Sequence, residues 1–194
     1  MTQERYDPLT LVLHWLTVAL VLTLWSIAQL WDWLPRGSAP RHAAQALHVS
    51  LGLVFILVLA TRLLWRATAG RRLAPPPGPR SLVLAARAMH GALYLLLVAM
   101  AISGPLNRSV GGDPLGFFGL FTLPPLLAKD KALAETINDV HGTIATIILI
   151  LAGLHAAAAL AHHYLWRDGV LARMLPGRAP RDGAAAAPLS PGGP

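Results

Sequence analysis

Four apolar runs divide this chain, each close to the length of helix that crosses a bilayer: Leu9 to Trp31, Leu47 to Trp65, Leu82 to Pro105 and Val140 to Trp166. A hydrocarbon core takes about 20 such residues in helical form. The pattern predicts four membrane-spanning helices in one integral membrane domain, an all-α four-helix bundle over residues 1–177. The stretch 178–194 is rich in Ala, Pro and Gly with no apolar period, and is expected to be a disordered tail.

The polar positions that interrupt these runs are mostly histidines. Ionisable side chains in a bilayer are costly and are functional candidates by default. His141 and His155 share the fourth run. At about 1.5 Å per residue they are separated by roughly 21 Å along the helix axis. Their spacing is two heptads, over which a straight helix drifts only about 20° per heptad, so both rings project from nearly one face. His14 lies early in the first run and His48 opens the second. With alternating helix direction, His48 falls at the depth of His141 and His14 at the depth of His155. Two ligands from different helices at one level are what a six-coordinate haem iron requires, and a four-helix bundle can build such a site in its core. The arrangement suits two stacked cofactors.

Small residues line the same face: Ala145, Ala152, Ala156 and Ala159 on the fourth run, Gly142 beside His141, and Gly52 one turn after His48. They leave room for a flat macrocycle, although close helix packing in membranes selects small residues too. The histidines also have plainer readings. His14 sits beside Trp15, whose ring favours the headgroup boundary. His48 and His141 are near a membrane surface, where water can reach them. His155 is the deepest, among Leu and Ala. His90 has no depth-matched partner left and reads as a hydrogen-bonding core or propionate-side residue. His42 falls in a loop, and His162 and His163 at the inner boundary, with His162 extending the stripe of His155 by seven residues.

Composition agrees with a membrane protein and narrows the chemistry. Of 194 residues, 55% are hydrophobic and 13% charged, against about 25% charged in soluble domains. The net charge of +7 is not a nucleic-acid signature, because basic residues collect in alternate loops as membrane topology demands. Arg5, the arginines from Arg62 to Arg87, and Arg167, Arg173, Arg178 and Arg181 mark the cytoplasmic side, which places both termini there. The first run lacks a basic leader and a small-residue cleavage site, so it reads as a retained helix. With no cysteine there is no disulfide, no thiolate-held cluster and no covalent c-type haem.

The connections differ in character. Asp32 to Gln45 is a short outward loop broken by Pro35, Gly37 and Pro40, and Ala74 to Pro79 is a stiff inward linker. Asn107 to Asp139 is the longest outward segment, whose end, from Asp130, is expected to form a helix running into the fourth span.

His14-Trp15, Leu47-His48-Val49-Ser50, His141-Gly142 and Gly153-Leu154-His155 followed by Ala156 to Ala159 together resemble the bacterial cytochrome b561 family. The loop Phe118 to Pro124 is similar as well. The run His155 to Trp166, followed by Arg167-Asp168, is most like the superoxide-oxidising members of that family. The resemblance covers nearly all of residues 5 to 176. It implies a bacterial inner-membrane protein with two haem b groups, one on His14 and His155 and an outer one on His48 and His141. It further implies electron transfer to ubiquinone on the cytoplasmic side, with His162 beside the quinone as proton donor, and superoxide or another periplasmic donor outside. Bis-histidine ligation saturates the iron, so electron transfer rather than oxygen binding is expected. An outer basic rim of Arg36, Arg41, Lys129 and Lys131 would steer an anion, although acidic residues in those loops are as numerous. Arg41 and Arg62 are placed for haem propionates. Two other classes fit the span count: a haem-bearing anchor subunit for a separate dehydrogenase, and a cofactor-free proton-relaying transporter.

Overall fold

The computed structural model describes residues 5–71, 73–74 and 79–175. Helix α1 (Pro8–Asp32) starts at Asp7, whose carboxylate accepts from the Thr10 backbone N–H at 2.9 Å and its hydroxyl at 2.7 Å. Such a cap satisfies an N–H that no helical carbonyl can reach. Helix α2 (Ala39–Thr68) is capped by Ser38 and carries Pro40 in its first turn, where proline's missing N–H costs nothing. Helix α3 (Arg80–Gly111) runs through Pro105 and stops at Gly112, whose φ of +78° breaks the helical path. Helix α4 (Lys131–Ala161) is capped by Asp130, which accepts from Leu133 N–H at 3.0 Å. All four helices are long and apolar enough to cross a membrane, the last continuing to Trp166.

Three features add to or adjust the expectations. The loop read as Asp32 to Gln45 is shorter, because α2 begins at Ala39 and takes His42 into its first turns, still exposed. Pro40 starts a helix there instead of breaking one. The third helix passes Pro105 by a further turn and more, to Gly111. The long outward segment contains a two-stranded antiparallel hairpin, β1 (Leu115–Phe117) against β2 (Phe121–Leu123). Most of the proline linker (residues 75–78) and the whole tail 178–194 lie outside the described residues.

The helices pack as two hairpins, α1 along α2 and α3 along α4, which meet mainly through α2 and α3. Their shared core runs from Leu13 of α1, beside His14, to the middle of the bundle: Leu20 of α1, Phe55, Val58 and Leu59 of α2, Leu97 of α3 and Ile148 of α4. Ile148 is seven residues from both His141 and His155, midway between the two histidine levels. Outward-facing apolar side chains stay uncovered, with Leu57 68% and Leu95 71% exposed. Such a surface is stable against lipid tails rather than water.

Each end of the bundle is tied by polar contacts. At the end where α1 begins, Asp7 also accepts from the Trp65 indole at 2.9 Å and Arg71 N–H at 3.1 Å. Burial pushes the Asp7 carboxyl up, but the Thr10, Arg71 and Trp65 donors outweigh it and bring its pKa down to about 2. A short 3-10 helix (Leu171–Met174) returns across this end. The Trp15 indole donates to Met174 O at 2.8 Å, and Arg173 Nη1 to Ala74 O at 2.9 Å. At the opposite end, Ser50 on α2 accepts from Phe118 N–H at 2.9 Å, fastening the β-hairpin tip.

Candidate functional site

His48 of α2 and His141 of α4 are neighbours at the hairpin end, as His14 of α1 and His155 of α4 are at the opposite end. The pairs join the two helical hairpins, α2 with α4 and α1 with α4. All four rings are half-buried. His90 belongs to the second level: its ring lies 5.1 Å from that of His155. Depth along the helices had left His90 unpartnered; rotation about the α3 axis, which depth ignores, brings it to His155.

The donor chemistry of these rings tests whether they fit haem iron. An axial histidine ligates through one nitrogen while the other, usually Nδ1–H, donates to the protein. His48 Nδ1 is 3.0 Å from the Leu24 carbonyl, which only accepts, so Nδ1 carries the proton and the Nε2 lone pair is free. His141 Nδ1 is 2.8 Å from the Ser103 hydroxyl, whose own proton goes to Met100 O at 3.3 Å. With that proton on Met100 O, Ser103 can accept from Nδ1–H and leave Nε2 free. The Leu24 carbonyl fixes this tautomer at His48, and the Ser103–Met100 contact is compatible with it at His141.

At the other level the chemistry is different. His14 Nδ1 is 3.1 Å from Arg62 Nη2, and a guanidinium only donates, so Nδ1 is an acceptor in this arrangement. Arg62 is also held by Tyr94, through Nε to the phenol oxygen at 3.2 Å and over the ring at 5.2 Å. Ligation by His14 Nε2 requires Arg62 to leave Nδ1 and rest on Tyr94. The donor set fits, with one side chain to move.

Space is available beside the histidines. A Cβ added at Gly52 or Gly142 would meet nothing within 4 Å, whereas at Gly104 it would come 3.4 Å from the His141 ring. Among the described residues no three His, Asp or Glu side chains gather around a point that could hold a metal ion. A six-coordinate haem iron takes two axial histidines, since the porphyrin fills its other four positions.

His162 opens a single π-helical turn (His162–Trp166) that ends at Arg167, a non-glycine residue with φ +51°. Its Nδ1 is 2.5 Å from Asp168 Oδ2, and its ring lies 4.6 Å from that of Trp166. Asp168 Oδ1 accepts from Val170 N–H at 3.2 Å. Burial raises the Asp168 pKa, but the His162 and Val170 hydrogen bonds and the His162 charge hold it below the usual carboxylate range. An open cavity of about 410 Å³ flanks this turn, lined by His163, Tyr164, Arg167, Gly169 and Ala172.

The expected outer rim is only partly present. Arg36, Lys129 and Lys131 are exposed. Arg41 instead closes the end of α1, donating to Trp31 O and Leu34 O and lying 3.5 Å from Asp32. Ser103 and Tyr94 escaped the sequence reading, and Asp168 entered it only as part of a motif, with no role. A hydroxyl such as Ser103 within an apolar span was the one available signal, since polar groups there usually bond across helices.

A four-helix membrane bundle with paired interior histidines at two levels defines a haem-binding membrane protein. The model for prokaryotic cytochrome b561 matches residues 5–177, and the chain belongs to that family of four-helix, di-haem membrane electron-transfer proteins. It is 36% identical over 179 residues to "Cytochrome b561 homolog 2" of Escherichia coli strain K12, covering 90% of this chain and 93% of that protein. It is 32% identical over 176 residues to "Probable superoxide oxidase CybB" of Yersinia pestis, covering 89% and 97%. It is also 28% identical over 180 residues to "Cytochrome b562" of Cereibacter sphaeroides, covering 90% and 98%.

Proposed function

We propose that this chain is a superoxide:quinone oxidoreductase of the bacterial inner membrane, with both termini in the cytoplasm. His48 and His141 hold the outer haem b, and His14 and His155 the inner one. The observation that carries this reading is the pair of histidine levels with Ile148 midway between them, and the outer pair has Nδ1 partners that suit ligation through Nε2. The haems, when bound, pass electrons one at a time across the membrane. Superoxide gives up its electron at the outer face and leaves as dioxygen, and ubiquinone takes electrons near His162.

The superoxide assignment draws on the printed name of the Yersinia pestis relative and on the exposed cations Arg36, Lys129 and Lys131 at the hairpin end. A reduced-minus-oxidised visible spectrum of the purified protein tests the first step, and absence of a b-type signal would sink the reading. His141→Ala should remove the outer haem and His155→Ala the inner one, each leaving about half the haem. Stopped-flow mixing with superoxide should reduce the haem promptly, with quinol accumulating when ubiquinone is present. Haem that superoxide leaves oxidised, but that a separate dehydrogenase reduces, would instead mark an electron-carrier subunit.

A further inference from the structure

We propose that Asp168 is a positioning residue that locks His162 with its Nδ1–H on the carboxylate, leaving Nε2 to deliver a proton to a quinone carbonyl oxygen. The inference rests on the quinone reading of His162 given above and assigns Asp168 a role within it. Asp168 is fixed on both sides: Oδ1 accepts from Val170 N–H at 3.2 Å and Oδ2 faces His162 Nδ1. The backbone around the pair is unusual. The helix widens to a π turn at His162, and Arg167 takes a left-handed conformation that side chains rarely adopt. Insertions of this kind recur at functional sites, and strain persists only where surrounding structure enforces it. Here the Arg167 N–H closes the turn on the His162 carbonyl, and the reversal brings Asp168 back onto the ring six residues behind it. Trp166 lies against the same imidazole. The ring is thus held by a carboxylate at one nitrogen and an indole beside it, the arrangement that orients a general acid.

Reduction of the quinone to the quinol adds two electrons and two protons. One proton leaves Nε2 of a protonated His162, which reverts to the neutral ring with Nδ1–H still on Asp168 and is reprotonated from water. The second proton comes from water directly.

Asp168→Asn is the decisive variant. The fixed Val170 N–H keeps the amide oxygen at the Oδ1 position, which turns the amide NH2 toward His162. A donor there forces Nδ1 to accept and moves the ring proton to Nε2. Two measurements on the haem-loaded protein in nanodiscs read this. In ¹⁵N-histidine NMR, with the His162 signal identified by its loss in His162→Gln, the neutral ring should be the Nδ1–H tautomer in the parent and in Asp168→Glu, and the Nε2–H tautomer in Asp168→Asn. In anaerobic stopped flow, dithionite-reduced haem is re-oxidised by a short-tailed ubiquinone. Asp168→Asn should slow this by about 10-fold or more, a fraction of the roughly 10²–10⁴ that a positioned proton donor contributes, with Asp168→Glu restoring most of it. An unchanged tautomer, or an unchanged rate in Asp168→Asn while His162→Gln is slow, overturns the role of Asp168 and leaves the quinone reading standing. An unchanged rate in both variants overturns the quinone reading itself.

Discussion

The Ser103 hydroxyl of α3 lies 2.8 Å from Nδ1 of His141 of α4 and donates its own proton to the Met100 carbonyl at 3.3 Å. One buried hydroxyl thereby holds the rotation of a ring on a neighbouring helix and can accept its Nδ1 proton. Partners behind a metal-bound histidine commonly change metal affinity by about 10–100-fold when removed. Ser103→Ala should therefore weaken haem retention at the His48–His141 site by about that factor. Ser103→Thr keeps the hydroxyl and should retain the haem. Haem content per protein after detergent washing, compared across the three proteins, measures this; equal content in all three counts against the role given to Ser103.

Arg62 carries the second prediction. Its guanidinium lies 3.1 Å from His14 Nδ1. A fixed positive charge favours the reduced form of a nearby haem. Taking roughly 8 Å and an effective dielectric of about 20, the interaction is about 2 kcal/mol, which screening reduces to a potential shift on the order of 50 mV. Arg62→Gln removes the charge while offering an amide oxygen to His14 Nδ1–H, so haem should stay bound with its potential lowered. A spectroelectrochemical titration resolves the two haems. A potential that rises or stays put would contradict the placement of Arg62.

What the sequence made legible follows from which interactions it encodes locally. Spans were readable because about 20 apolar residues have few alternatives to crossing a bilayer. The Asp130 cap was readable because the signal sits within four residues of the N–H it serves. Histidine depth was readable because helix rise is constant. Side-chain neighbours around the axis were not, since they depend on how each helix is rotated. His90 against His155 and Ser103 against His141 are both of this kind. Pro40 misled for a different reason. Proline marks a boundary only when its missing N–H matters, and it does not in a first turn such as that of α2. Asp168 lay six residues from His162, but only the π turn brings their side chains together.

Asp7 gives a pH dependence. Its pKa falls from an ordinary 3.8 to about 2 in the folded protein, so folding favours the ionised form. That contribution is complete above about pH 4 and is lost as the pH falls through about 2. Thermal unfolding in detergent between pH 5 and 2 should show a midpoint that drops across this window. Asp7→Asn keeps an N-capping oxygen but loses the charge. It should be less stable at pH 5 and show a flatter decline toward pH 2. A parent and variant with parallel profiles would remove Asp7 from the account of acid sensitivity.

Ser50 links the helix segment that carries His48 to the hairpin above it. It lies two residues after His48, is only 2% exposed, and donates to Ala46 O at 2.9 Å while accepting from Phe118 N–H at 2.9 Å. Phe118 sits at the hairpin tip with φ +46°, a conformation that needs an external hold. Ser50→Ala leaves the Phe118 N–H without its acceptor, a loss worth about 1–3 kcal/mol when the group stays buried. The hairpin should respond by opening, because a freed tip regains water as a partner. Amide hydrogen exchange across Leu115 to Leu123 should accelerate by about 5- to 100-fold, while α4 around Ile148 keeps its protection. Exchange that accelerates equally in α4 would mean that Ser50 supports the whole bundle rather than the hairpin. Exchange that stays slow at Phe118 would mean that the β1–β2 pairing holds the tip unaided.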